Sequence, residues 1–398
     1  MKILFQFEKS NLVFENPAFI ISCYDPKELK ATFCKIEKAL KKGLYVAGFL
    51  SYEAGYAFED KFIVKQSDKF PLLYFGCYEA PTNFYSSQHA CAPEMKISNL
   101  EYNMTRREYC ININRIRRYI AAGDVYQITY CMKIYFDFRG DAYHLYRALL
   151  QEQPVPYSAL IEMGDKTILS LSPEMFLKKR HKDIITKPMK GTWSRGNNIV
   201  ADAISRWKFH KDEKNRAENV MIADLLRNDL GRIGRDIQVP KLFEITPYKT
   251  LFQMTSTVTA QVPENVGIYN LFKALFPSGS VTGAPKIRAM EIIREIEREK
   301  RNIYTGAIGY IQPNKDMFFN IPIRTLLIEN GRGEMGIGGG IVWDSTPEGE
   351  WNEGILKAKF FTDLVASNVP PIREINAGGG RLIATFHGNA GRGGGTVR

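Results

Sequence analysis

FPSGSVTGAPKIRAMEIIREI, residues 276–296, is a loop of small residues running straight into a helix. Gly279, Ser280, Thr282 and Gly283 leave backbone N–H groups uncovered, and Pro285 suits the first helical turn, where its missing N–H costs nothing. Ala289, Ile292, Ile293 and Ile296 recur at i, i+3, i+4 and i+7, so one helix face is buried and the N-terminus is held in place. Bare amides at a fixed helix N-terminus make a cradle for an anion, here expected to be a carboxylate. This is not a Walker phosphate loop, because the Gly-x4-Gly-Lys-Ser/Thr spacing is absent and Lys286 follows a proline. An ordinary loop-to-helix junction accounts for the same residues, and the stretch alone leaves both readings open.

Downstream, from Asn302, the pattern is antiparallel strand and turn. Strands are expected over Tyr304–Gln312, Met317–Glu329 and Met335–Asp344, joined at Pro313-Asn314-Lys315-Asp316 and Asn330-Gly331-Arg332-Gly333. The last contains Gly338-Gly339-Gly340, useless for packing in a strand but permitting a ligand to approach the backbone. A helix from about Glu350 to Phe361 follows, with Glu353 and Lys357 at i, i+4. Upstream, Arg216–Ile233 is a helix apolar nearly all round, so its charged residues, Glu218 among them, need partners. Asp183–Thr192 reads as a strand ending in a basic glycine turn at Lys190. Tyr157–Leu177 reads as a hairpin whose second arm is interrupted by Ser172-Pro173-Glu174, an edge or bulge that aims a side chain into a cleft. Thr105-Arg-Arg-Glu is a capping box opening a helix that stops at Gly123. Pro26–Lys42 is a charged amphipathic helix, Tyr45–Phe58 an aromatic strand and turn, and Pro81–Pro93 a polar connection.

A chain of 398 residues with 44% hydrophobic content can bury a large core. The net charge of +11 is interspersed with 43 acidic residues and no run of five or six like charges occurs, which reads as solubility, or preference for an anionic small ligand, before nucleic acid. Cys23, Cys34, Cys77, Cys91, Cys110 and Cys131 never approach C-x-x-C spacing, so reduced thiols are expected rather than zinc or disulfides. The N-terminus carries no apolar run of signal-peptide length, and 18 consecutive apolar residues occur nowhere, so a cytoplasmic protein without membrane contact is expected. Beyond Glu374 the chain lacks acidic residues and is rich in glycine, which reads as a flexible basic tail.

Four side chains draw attention on chemistry alone. Glu218 and Glu353 are hard oxygen donors suited to Mg²⁺, or else a helix N-terminal acid and one half of a surface ion pair with Lys357. Arg324, among apolar neighbours, is a carboxylate clamp or a cross-strand ion-pair residue. Lys190 is a solvated turn residue, or a nucleophile if burial and other cations lower its pKa.

The strings SPEMFL, KPMKGT, AENVMIADLLRNDLGRI, PSGSVTGAPKIRAMEII, YTGAIGY, IPIRTLLI and GGGIVWDS with EGEWNEGILKAK resemble, in this order over about residues 42–366, the chorismate-utilising enzymes. That family includes anthranilate synthase component I, the isochorismate and salicylate synthases, and aminodeoxychorismate (para-aminobenzoate) synthase component I. The resemblance implies an α+β fold of two antiparallel sheets packed as a sandwich with helices outside, the site lying in the cleft between them. It divides the chain into an N-terminal region (1–95), a catalytic domain (100–366) and the tail (370–398). It gives Glu174 the role of general acid/base and makes Glu218 and Glu353 the Mg²⁺ ligands. Gly191, Thr192, Gly283, Tyr304, Arg324, Gly338, Gly339, Gly340 and Lys357 would bind chorismate carboxylates or complete the metal site. Pro188-Met189-Lys190-Gly191-Thr192 resembles the Pro-Ile-Lys-Gly-Thr of the aminodeoxychorismate branch rather than the Pro-Ile-Ala-Gly-Thr of anthranilate synthases. Lys190 would then be the nucleophile in a transferase-type enzyme that adds ammonia to chorismate in folate biosynthesis; the alternative is anthranilate synthase component I.

Two positions depart from the family pattern. Gln253 stands where many relatives have a histidine, and the Leu-Leu-Glu-Ser string of tryptophan-inhibited relatives is missing. No cysteine has the G-x-C-x-G setting of a glutaminase nucleophile, so a separate glutamine amidotransferase subunit is the expected source of ammonia.

Overall fold

The computed structural model describes residues 1–8, 10–62, 70–83, 95–247, 251–366 and 373–374. The glycine-rich tail, apart from 373–374, the segment 84–94 and Cys91 lie outside these residues. Two large sheets carry the architecture. In the first, neighbours run Lys96–Tyr102, Gln127–Arg139, Arg332–Ile341, Thr325–Glu329, Lys166–Ser172, Tyr157–Met163, Lys2–Phe7, Ser10–Phe14 and Thr82–Asn83. In the second they run Met189–Ser194, Leu251–Gln261, Asp183–Lys187, Met175–Arg180, Met317–Asn320, Ala307–Ile311, Tyr45–Leu50, Leu73–Tyr78 and Phe19–Cys23. Arg235–Pro247 adds to the second sheet beside Leu251–Gln261. Every pairing among these strands is antiparallel.

Side-chain alternation explains why the sheets stack. On Lys2–Phe7, Ile3, Phe5 and Phe7 enter the core between the sheets, while Leu4 points to the opposite face. Phe5 packs on Tyr310 at 5.6 Å between ring centroids and Phe7 on Phe318 at 5.0 Å, each contact joining one sheet to the other. The outer face of the first sheet is covered by helices Arg106–Ala121, Ala142–Glu152, Lys286–Ile296 and Pro347–Ala366. Helices Leu29–Lys41, Glu213–Gly231 and Ile268–Leu275 cover the second. The result is the expected sandwich with helices outside, and strands from residues 1–83 pair within both sheets.

Local signals read from sequence are realised where they depend on near neighbours. At Thr105 the capping box is complete: the hydroxyl accepts from Glu108 N at 3.2 Å and the Glu108 carboxylate accepts from Thr105 N at 2.9 Å. Three expectations need correction. Ser172-Pro173-Glu174 does not interrupt one hairpin arm. It carries the chain from the first sheet (Lys166–Ser172) into the second (Met175–Arg180), proline supplying no ladder donor at the crossing. Lys190-Gly191 does not end its strand as a turn, because Met189–Ser194 continues along Leu251–Gln261. Gly191, at φ +84°, forms a bulge between the Lys190–Met254 and Thr192–Gln253 pairs. Met317–Glu329 is two strands, with Arg324 in the connection between them at φ +52°.

Candidate active site

A cleft lined from both sheets holds Glu174, Lys190, Glu218, Tyr304, Arg324 and Lys357, floored by Gly338, Gly339 and Gly340. The sheet crossing places Glu174. Ser172 Oγ donates to Ile321 O at 2.6 Å and accepts from Glu174 N at 3.1 Å, fixing the backbone on which the acid stands. Glu174 is 3% exposed, and its Oε1 accepts from Ser280 Oγ at 2.7 Å and Met189 N at 3.3 Å. Burial pushes its pKa up to about 7, against the opposing effects of Ser280 and of Lys190. A carboxyl poised near neutrality can both give and take a proton at cellular pH.

Lys190 reaches the same cleft from the bulged strand. Its carbonyl accepts from Asn219 Nδ2 at 3.1 Å, and Ser256 in turn donates to Asn219 Oδ1 at 3.3 Å, so the backbone beneath the amine is anchored. Gly191 is required here twice over: its φ is positive, and a Cβ would run into the Asn215 side-chain oxygen. Burial lowers the Lys190 pKa, with Glu218 and Glu174 pulling it back up. The amine is therefore easier to deprotonate than an exposed lysine, the condition under which lysine acts as a nucleophile.

Glu218 lines the cleft, and Glu350 and Glu353 stand against Gly339 of its floor. Burial raises the pKa of Glu218, on Glu213–Gly231, and of Glu350, on Pro347–Ala366; Lys357, at 2.7 Å, lowers that of Glu353. A Cβ added to Gly339 would sit 3.0 Å from Glu350 Oε2, 3.4 Å from Lys357 Nζ and 3.7 Å from Glu353 Oε1. Lys357 also donates to Gly338 O at 2.9 Å. Among the described residues no three His, Cys, Asp or Glu side chains stand at metal-ligand spacing. The donor chemistry nevertheless fits a hard divalent cation: carboxylate oxygens on two helices, two of them buried enough to disfavour their charged form without a cation. Glu350 was missed in the sequence, although its spacing of three from Glu353 on one helix is a readable signal.

The remaining expected residues divide. Tyr304, 7% exposed, packs its ring over Gly336, and its N–H donates to Arg301 O at 3.0 Å. Arg301, itself buried, donates to Val281 O at 2.9 Å and Thr129 O at 2.7 Å, tying two lining residues together. Thr192 is exposed on its strand and outside the cleft lining. Gly283 lies behind the cleft, pairing with Ile128, where a Cβ would meet Gln127 O. The 276–296 loop is not the bare anion cradle expected. Val281 N and Thr282 N donate within the loop, Ser280 N to Ser278 Oγ, and Gly283-Ala284 pairs with Gln127–Arg139. What the loop gives the site is the Ser280 hydroxyl. Lys286 is buried away from the cleft, donating to Asp229 Oδ2 at 2.7 Å and to Ala274 O at 3.2 Å.

Comparison with known proteins agrees with this geometry. Residues 6–363 match the model of the chorismate binding enzyme family. The chain is 42% identical over 253 residues to aminodeoxychorismate synthase component 1 of Klebsiella aerogenes, covering 63% of this chain and 56% of that protein. It is 39% identical over 267 residues to anthranilate synthase component 1 of Pseudomonas aeruginosa, covering 66% and 54%. These matches span little more than half the length of the curated relatives. The crystal structure of anthranilate synthase component I from Streptococcus pneumoniae TIGR4 superposes with a TM-score of 0.75 at 25% identity, covering 90% of this chain and 92% of that one. With the sandwich, the cleft and a match over 6–363 all in agreement, the chain belongs to the chorismate binding enzymes.

Proposed function

We propose that the chain is the synthase component of an aminodeoxychorismate synthase, converting chorismate and ammonia to 4-amino-4-deoxychorismate, a precursor of p-aminobenzoate and folate. The observation that carries this reading is Lys190: an amine at the cleft, lowered in pKa by burial, opposite a Glu174 carboxyl near 7. The Klebsiella relative's name points the same way.

The residues supply a balanced reaction. The neutral Lys190 amine bonds to ring C2, both ring double bonds shift, and the C4–O bond breaks; Glu174 gives its proton to the departing hydroxyl, which leaves as water. The adduct holds its positive charge on the lysine nitrogen until ammonia bonds to C4, both double bonds shift back and the C2–N bond breaks. The new ammonium then returns a proton to the Glu174 carboxylate, restoring both groups. Arg324, Lys357 and the backbone at Gly339-Gly340 are the groups available to orient the substrate's carboxylates. Mg²⁺ held by Glu218, Glu350 and Glu353 would neutralise the ring carboxylate when bound. Ammonia would come from a separate glutaminase subunit, and the enzyme would act in the cytoplasm.

The test is direct. The purified chain, given chorismate, Mg²⁺ and ammonium at a pH where NH₃ is present, is expected to make the 4-amino product, identified by mass and retention time. Nitrogen at the ortho position would replace this reading with anthranilate synthase, and binding without turnover would make the chain a non-catalytic chorismate-binding subunit.

A further inference from the structure

Glu174 uses its two oxygens differently. Oε1 accepts from Ser280 Oγ at 2.7 Å and from Met189 N at 3.3 Å, so both lone pairs of that oxygen are engaged. Oε2 takes no hydrogen bond from the described residues, yet it is not among their sealed polar atoms, so it opens on the cleft that Glu174 lines. An acid proton sits on the oxygen that is not already saturated with donors, which here is Oε2.

The donor that makes this division is itself held. Ser280 has one hydroxyl proton and gives it to Glu174, so the Ser278 hydroxyl, 3.0 Å from that of Ser280, must donate to it. Both serines are buried, and the loop that carries them has no slack. Thr282 Oγ1 donates to Ser278 O at 2.6 Å, Val281 O accepts from Arg301 at 2.9 Å, and a Cβ on Gly279 would run into Leu225 of helix Glu213–Gly231.

We propose that Ser280, backed by Ser278, is a positioning residue for proton transfer: it reserves Glu174 Oε1 as an acceptor and leaves Oε2 as the oxygen that gives its proton to the departing hydroxyl, an inference that rests on the functional reading above. The proton balance is that of the proposed reaction, with Oε2 losing its proton to the hydroxyl and regaining one from the new ammonium, while Ser280 keeps its own throughout. A neutral donor suits the task because it holds Oε1 in both protonation states, whereas a cation in the same place would keep the carboxylate ionised. The charged and titratable groups around the cleft are Lys190, Glu218, Tyr304, Arg324 and Lys357; of these Lys190 acts on Glu174, lowering its pKa as the Ser280 hydrogen bond does, against burial.

The experiment compares wild type with Ser280→Ala, which removes the donor, and Ser280→Cys, which keeps a weaker one. Urea stability and the single-turnover rate of Lys190 adduct formation are each followed from about pH 5 to about pH 9, the latter with chorismate and no ammonia so that ammonia's own titration does not enter. Ser280→Ala is expected to move the Glu174 transition in both profiles to higher pH by about one pH unit, because the lost hydrogen bond favoured the ionised form. The plateau rate of adduct formation should fall about tenfold, since the carboxyl is free to turn, with chorismate affinity unchanged and Ser280→Cys in between. Profiles that superimpose on wild type overturn the proposal, as does a uniform loss of stability with the transition left in place, which would make Ser280 structural. Weaker chorismate binding with an unchanged plateau would give the hydroxyl to the substrate and overturns it too. Normal amination by wild type with unmoved variant profiles sinks the Ser280 role alone; no 4-amino product from wild type sinks the functional reading and the proton-transfer role with it.

Discussion

Replacing Glu174 by glutamine should make the protein more stable and less active, and the structure sets the size of the first effect. The carboxyl's pKa rises on folding from 4.5 to about 7, chiefly through burial. At 1.36 kcal/mol per unit, this shift makes the folded state about 3 kcal/mol less stable when the group is ionised than when it is protonated. The sign follows from proton counting: the folded protein binds the proton more tightly, so this contribution is fully favourable below pH 4.5 and is lost as pH rises through about 7. Glutamine stays neutral at every pH and can still accept from Ser280 and Met189. Urea denaturation of wild type and Glu174→Gln at pH 5 and pH 8 should therefore show the variant's advantage growing by up to about 3 kcal/mol between them. In the same samples kcat should fall by roughly 10²–10⁴, with KM for chorismate little changed, since only proton transfer is lost. Parallel pH profiles of stability in the two proteins would refute the claim that this carboxyl is held protonated by its burial. A defect confined to KM would refute its catalytic role.

Lys190→Met should abolish the 4-amino product and the chorismate adduct trapped at that residue by mass spectrometry; normal turnover would exclude covalent catalysis. Because Glu174 must be protonated and Lys190 neutral, kcat/KM should fall on both sides of an optimum, one limb lying near the Glu174 pKa of about 7 and the other at the lowered pKa of Lys190. Glu218→Gln, Glu350→Gln and Glu353→Gln should each shift the Mg²⁺ activation curve to higher concentration; a variant with the wild-type curve loses its place in the metal site. Lys286→Met, which leaves Asp229 buried without its partner, should cost about 3–5 kcal/mol in denaturant titrations. Its kcat should be nearly normal in the folded fraction, contrary to what an anion cradle at this helix would require.

What could be read from the sequence was what local chemistry decides. The Thr105 capping box involves residues three apart, and the apolar stripe of Lys286–Ile296 is set by helical period, so both stand as expected. What sequence could not show was pairing over distance. Pro173 announces a break in a strand, but whether the chain bulges or changes sheets depends on which strands lie ready to receive it, and Met175–Arg180 finds Met317–Asn320 more than a hundred residues later. Lys286 looks like a loop cation until Asp229, 57 positions earlier, is brought against it. Glu174 had no distinction beyond its motif: its raised pKa comes from enclosure by distant segments, which outweighs the opposing hydrogen bonds from Ser280 and Met189.

The strand Gln127–Arg139, which carries Thr129, finds its long partner only in Arg332–Ile341. During synthesis roughly 190 residues must emerge between them, which at about 5–20 residues per second leaves this strand's edge unmatched for roughly 10–40 s. Such an edge is a template for pairing with another chain, and its residues are buried at nearly every position once the sheet closes. The cleft therefore cannot assemble until the glycine strand, and the helix Pro347–Ala366 that follows it, have been made. This late pairing also makes yield at elevated temperature, where such intermediates aggregate, a sensitive reporter of substitutions in Arg332–Ile341 even when the finished enzyme tolerates them.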